Sequence, residues 1–129
     1  ACYCGKRGCI ETFVSGPSLA ADFERATGGP TTAADIAAAA EAGGAAAGAA
    51  LDRHADRLAR GLASVINVLD PEVIVLGGGL SNLTHLYTAV PRLLGRYLFS
   101  DGVATRLVPP RHGDSSGVRG AAWLWPNPA

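Results

Sequence analysis

The feature that most narrows the fold is Asp70-Pro71-Glu72-Val73-Ile74-Val75-Leu76-Gly77-Gly78-Gly79-Leu80-Ser81-Asn82. Val73 to Leu76 is an uncharged run, led in by a proline and stopped by glycines. Such a run reads as a strand buried on both faces, as in a parallel sheet covered by helices, and is expected to form the floor of the domain. The three glycines let the backbone turn tightly and let a ligand approach without meeting side chains, and Ser81 is the expected cap of the next helix. Gly77, Gly78 and Gly79 are therefore candidates for a nucleotide-holding loop. A plain strand-to-helix turn fits the same residues, because a glycine motif alone is a weak signal.

The second chemical signal stands at the start of the chain, where Cys2, Cys4 and Cys9 fall within one short glycine-containing loop. Two glycines allow that loop to fold back so that three thiolates meet at a common centre, as a tetrahedral zinc site requires. An odd number of cysteines without a secretion signal argues against a disulfide framework, and free thiols or one incidental disulfide are the other reading. A closed structural site needs a fourth ligand. His54, His85 and His112 lie in segments that read as helix or distant loop, so a histidine from an upstream segment is expected to supply it. Glu11 follows the loop at the start of a short helix. Its carboxylate can accept hydrogen bonds from substrate hydroxyls or simply favour the helix N-terminus.

Between these two signals the chain reads as helices. Pro17 suits the first turn of a helix running to about Ala26 and closed by Gly28-Gly29. Thr32 and Asp35 form a capping box for a short alanine-rich helix ending near Gly43-Gly44. Leu51, Ala55, Leu58, Leu62, Val65 and Leu69 recur at steps of four and three, one apolar stripe on a helix that Pro71 ends. His54 lies beside that stripe and reads as a surface or partly buried structural histidine. After the glycine loop, Leu83 to Leu98 continue at helical spacing, with Pro91 either kinking one helix or starting another. A strand is expected from Ala104 to Val108, then a final helix from Ser115 to Trp125, capped by Asp114 and ended by Pro126. Gly117 and Gly120 give that helix a smooth face, suited to a nucleotide or to tight helix-to-sheet packing. His112, Asp114 and Ser115 lack the context of a hydrolase triad.

The 129 residues carry 11 basic and 11 acidic side chains, which argues against nucleic acid or an anionic membrane as partner. No apolar run is long enough to cross a bilayer and no signal peptide is present, so a cytoplasmic protein is expected. The chain holds no Met and begins inside its cysteine motif, and is expected to be a fragment of a longer protein.

With both motifs in view, the chain resembles the ROK family of bacterial sugar kinases, repressors and open-reading-frame proteins. Cys2-Tyr3-Cys4-Gly5-Lys6-Arg7-Gly8-Cys9-Ile10-Glu11 fits that family's CxCGxxGCxE zinc signature at every fixed position. Asp70 to Asn82 fits its segment ending in the adenosine-side glycine loop, and Gly113 to Ala122 fits its C-terminal helix. The first and last motifs look most like the fructokinase branch.

The resemblance implies an α/β fold over residues 1–129, the C-terminal lobe of an actin-like, ribonuclease-H-like ATPase with few strands covered by helices. It implies a parent kinase that binds ATP with magnesium and a hexose, and moves the terminal phosphate to a sugar hydroxyl. Cys2, Cys4 and Cys9 then match structural zinc ligands, Glu11 a sugar-hydroxyl acceptor, and Gly77, Gly78 and Gly79 the nucleotide loop. The phosphate loop, the catalytic aspartate and the N-terminal lobe would precede Ala1, so this chain carries no catalytic base and is expected to be inactive alone. The rival readings are the sugar-sensing lobe of a repressor of the same family, and a non-catalytic oligomerisation lobe. Unpartnered apolar helices make a homo-oligomer the expected state.

Overall fold

The computed structural model describes residues 1–100 and 102–124. Its elements run α1 (Glu11–Val14), α2 (Gly16–Thr27), α3 (Ala33–Glu41), α4 (Ala45–Leu69), β1 (Val73–Val75), a 3₁₀ turn (Gly79–Asn82), α5 (Thr84–Leu94), β2 (Arg106–Val108) and α6 (Ser116–Ala122). Local chemistry explains the boundaries. The Ser15 hydroxyl accepts the Ser18 amide at the start of α2, and Gly28 ends that helix at φ 83°. Thr32 and Asp35 form the expected reciprocal capping box. Asp70 leaves α4 with φ 43°, a left-handed geometry that an aspartate tolerates better than most residues. Pro91 lies inside the single helix α5 and starts no second one.

Helix α4 is the axis of the molecule, and α1, α2, α3 and α5 all pack on it. Its buried face differs from the expected stripe. Ala47, Ala50, Leu51, Ala55, Ala59, Ala63 and Ile66 are buried, whereas Leu58 and Leu62 are half-buried and Leu69 is 70% exposed. Alanines face the neighbours because they let helix backbones approach closely, and the larger side chains occupy the margins. Leu19 from α2, Ile36 from α3 and Leu86, Val90 and Leu94 from α5 complete the core.

Strands β1 and β2 pair in parallel, with Val73 opposite Arg106 and Val75 opposite Val108. The Leu76 amide extends the ladder to the Val108 carbonyl at 3.1 Å, and the Thr105 hydroxyl ties the far end to the Pro71 carbonyl at 2.7 Å. The expected burial of both faces is corrected here: Ile74 packs against the core while Val75 is 57% exposed. Ile74 and Leu107 face the helical core from one side of this short sheet, while Val73 and Val75 on the other are exposed. Ser115 precedes α6 without a side-chain cap, and Asp114 does not cap it either. The expected helix end at Trp125 and Pro126 lies outside the described residues.

One buried acid braces α2 against α4. Asp22 receives Arg53 Nε at 2.9 Å, Arg57 Nη2 at 2.7 Å and Arg25 Nη2 at 3.2 Å. Burial pushes its carboxyl up, but the hydrogen bonds from Arg57 and Arg53 outweigh that and hold it below the ordinary carboxylate range. The folded-state value is depressed, so the stabilisation is present above about pH 4 and is lost as the pH falls through the folded value. Asp22→Asn is expected to lower the unfolding free energy at neutral pH by about 1–3 kcal/mol, less than for a wholly buried pair because Arg53 and Arg57 remain wetted. It should also blunt the loss of stability in acid. Urea unfolding at neutral and acidic pH checks both, and an unchanged midpoint would reduce the cluster to a screened surface feature.

Candidate functional site

The cysteine loop is closed by its backbone. The Cys2 amide donates to the Lys6 carbonyl at 2.8 Å and the Gly5 amide to the Cys2 carbonyl at 3.0 Å, with Gly5 and Gly8 both at positive φ. The three Sγ atoms consequently lie within 4.8 Å of one another, and those of Cys4 and Cys9 are 3.6 Å apart. Tetrahedral zinc with bonds of about 2.3 Å to sulfur sets sulfurs roughly 3.8 Å apart, so the donor set suits that ion. All three thiols are free. The Lys6 backbone and the neighbouring thiols pull Cys4 below an ordinary thiol, while Cys4 and Cys2 push Cys9 up. No other His, Cys, Asp or Glu joins this group among the described residues.

From that loop the chain passes directly into α1. The Thr12 hydroxyl and amide both bond the Cys9 carbonyl, at 2.7 and 2.9 Å, which couples the cysteine loop to the helix that carries Glu11. The Glu11 carboxylate is exposed and makes no hydrogen bond or ion pair among the described residues.

The glycine loop leaves β1 with Gly78 at φ 74°, a conformation that only glycine adopts freely. Gly77 and Gly79 have ordinary φ, and a Cβ added at either would meet nothing within 4 Å. Neither backbone strain nor packing within the chain asks for glycine there; the missing side chains leave open space beside the backbone. Ser81 is buried inside the 3₁₀ turn and donates to the Gly78 carbonyl at 2.7 Å, so it closes the loop instead of capping α5. Asp114 braces the loop from across the molecule: its carbonyl accepts the Gly78 amide at 3.1 Å and its carboxylate accepts Asn82 Nδ2 at 3.1 Å. The Asn82 and Ser115 side chains hold that carboxyl below the usual range. Gly117 and Gly120 on α6 also face open space, so the smooth face of α6 is packed on nothing in the described structure.

Glu11 and Gly77, Gly78 and Gly79 line one cavity of about 400 Å³, together with Ser15 and Leu76. His54 also contributes to its wall. The sequence assigned His54 to the margin of α4, but it is 0% exposed and neither ring nitrogen has a hydrogen-bond partner. The recoverable signal was its place among the small residues, three after Leu51 and one before Ala55. Asp22 and its arginines were also missed, because nothing in their spacing announces a shared partner from another helix.

A profile of the ROK family matches residues 1–127. The chain belongs to the ROK family. It is 41% identical over 123 residues to the N-acetyl-D-glucosamine kinase of Aliivibrio salmonicida, covering 95% of this chain and 41% of that protein. The chain therefore spans about two-fifths of the length of that curated relative. Among solved structures, a ROK family glucokinase from Streptomyces griseus in complex with glucose and AMPPNP superposes with a TM-score of 0.80, at 25% identity over 94% of this chain and 45% of that one. A ROK family transcriptional regulator, a homologue of the Escherichia coli MLC protein, superposes with a TM-score of 0.69, at 26% identity over 84% of this chain and 30% of that one. The ROK kinases have the actin-like ATPase fold, and this chain shares it, mostly helical with few strands. Among the described residues no helix is long and apolar enough to cross a membrane.

His54 yields a test that needs no ligand. Burial lowers its basicity, Arg57 lowers it further, and Asp22 opposes both. The unfolded chain gains a proton near about pH 6.5 and the folded chain only at lower pH, so His54 makes stability fall as the pH drops below about 6.5. Thermal unfolding across this range is expected to show a steeper decline for the native chain than for His54→Leu. Equal slopes would mean that His54 is wetted in solution.

Proposed function

We propose that the parent protein is an ATP-dependent hexose kinase and that residues 1–129 are the C-terminal lobe of its ROK body. The observation that carries this is the shared cavity, in which an unpaired carboxylate at Glu11 faces the same space as the open backbone of Gly77, Gly78 and Gly79. Membership of a family whose relatives include sugar kinases supports it. The exposed Val68, Leu69, Val73 and Val75 form an apolar margin suited to contact with the rest of the parent, or with a second copy in a homo-oligomer.

In this proposal Glu11 accepts hydrogen bonds from sugar hydroxyls, and the glycine loop receives the adenosine side of ATP. The hexose hydroxyl oxygen attacks the terminal phosphorus, the bridging P–O bond breaks, ADP leaves with magnesium, and a base outside this chain takes the hydroxyl proton. Such transfer depends mainly on positioning and charge neutralisation, so the lobe contributes alignment more than chemistry. Cys2, Cys4 and Cys9 would hold a structural zinc ion, with a fourth ligand from elsewhere in the parent. Bound there, zinc would fix the loop two residues before Glu11 and take no part in the transfer. The first and last motifs resemble the fructokinase branch, whereas the relatives named above are an N-acetyl-D-glucosamine kinase and a glucokinase, so fructose, mannose, glucose and N-acetyl-D-glucosamine all belong in the substrate panel.

The full-length parent is expected to release ADP when given ATP and one of these sugars, and the 129-residue chain alone is not. Glu11→Gln in the parent should raise KM for the sugar by about 10- to 100-fold, the worth of a charged hydrogen bond, with a much smaller change in KM for ATP. Turnover by the isolated chain, or a sugar KM unmoved in Glu11→Gln, would overturn the assignment. Chelation is expected to release zinc from the parent and weaken sugar binding in parallel. Unchanged sugar affinity after zinc loss would break the coupling between the cysteine loop and Glu11.

A second reading, the sugar-sensing lobe of a repressor, is favoured by the likeness to the ROK transcriptional regulator. A DNA-binding segment in the upstream sequence, with no ADP release, would select it.

A further inference from the structure

An open groove of about 730 Å³ between α4 and α5 has no part in the function proposed above. It shares no lining residue with the cavity of Glu11 and the glycine loop. Five arginines line it: Arg53, Arg57 and Arg60 along α4, Arg92 on α5 and Arg96 just beyond it. Asp52 and Asp56 are the acids among its lining residues. Five positive charges against two negative leave a surplus of three, with His85 neutral, in a chain whose formal net charge is zero.

Of these acids, Asp56 accepts the Tyr97 hydroxyl, whereas Asp52, largely exposed, lies 3.2 Å from His85 Nε2 without a hydrogen bond to it. Asp22, to which Arg53 and Arg57 are tied, is shared by three guanidiniums and has little left to offer a fourth. Arg60, Arg92 and Arg96 have no carboxylate partner among the described residues. Arg60 is instead held over the Tyr97 ring, 5.9 Å from its centre, and that ring is fixed in turn by Asp56. Arg60 is thus positioned by a contact that leaves its hydrogen-bonding fork free, and Arg92 and Arg96 add two more guanidiniums without a carboxylate partner among the described residues. Planar forks with several donors match phosphate oxygens, and a site of this volume suits a small metabolite.

We propose that the α4–α5 groove is a binding site for a phosphate-bearing small anion, with Arg60, Arg92 and Arg96 as its free donors. The same chemistry fits inorganic phosphate, a hexose phosphate and a nucleoside diphosphate. Titration calorimetry of the full-length parent with inorganic phosphate, a hexose 6-phosphate and ADP, at low and physiological chloride, separates these sources. At least one is expected to bind more weakly by about tenfold or more in the Arg92→Gln/Arg96→Gln double variant, the loss expected for charge-assisted hydrogen bonds. Binding should also weaken as chloride rises, and Arg106→Gln on β2, an exposed arginine outside the groove, should leave it unchanged.

Arg60→Gln serves as the second variant if the double variant unfolds. Three results would overturn the proposal: no phosphate-bearing probe binds at millimolar concentration, the groove variants bind as the native protein does, or Arg106→Gln weakens binding equally. The last would indicate diffuse surface charge. An acidic segment of the parent or of a second copy lying in the groove would give the first of these results. The readout is binding, so a parent without kinase activity leaves the proposal standing.

Discussion

Everything else in this structure depends on how closely other helices can approach α4. A face made of Ala47, Ala50, Ala55, Ala59 and Ala63 buries little area per residue, but it lets α2, α3 and α5 draw in until their larger side chains fill the space. The core is consequently built by Leu19, Ile36, Leu86, Val90 and Leu94 from the surrounding helices more than by α4 itself. That arrangement fixes the relative position of α1, which carries Glu11, and of the loop that follows β1.

Local chemistry was largely legible in the chain. The capping box of Thr32 and Asp35, the stop at Gly28, the break at Pro71 and the order of helices and strands all follow from rules acting within a few residues. The gathering of Cys2, Cys4 and Cys9 was also foreseeable, because two glycines in a short loop leave the backbone few ways to close. What failed to show was anything set by a partner distant in sequence. Apolar spacing on α4 pointed to Leu51 and Ala55, which are buried, but also to Leu58, Leu62, Val65 and Leu69, which are not; most of the buried face belongs to alanines, whose role depends on what packs opposite. Ser81 and Asp114 both looked like helix caps. Each is instead drawn to the glycine loop, one by the Gly78 carbonyl and the other by Asn82 and the Gly78 amide.

The site combines a rigid half and an open half. Backbone hydrogen bonds fix the cysteine loop and pass that order to α1 through Thr12, while Ser81, Tyr87 and Asp114 secure the glycine loop. Between them lies space bordered by Glu11 and by backbone without side chains. Preorganisation of this kind lowers the entropy lost when a ligand is held, which is what binding and orientation ask of a scaffold. His54 is the exception, an imidazole withdrawn from water without a compensating bond, and marks where the wall of the cavity sacrifices stability.

The pairing of β1 with β2 has one more consequence. Two strands side by side each keep an outer rim of amide and carbonyl groups, and a parallel pair this short has little stability of its own. Those rims are templates. A further strand can dock on either one and continue the ladder; left bare, the same rims invite the strands of neighbouring molecules and make this sheet a natural seed for disordered association.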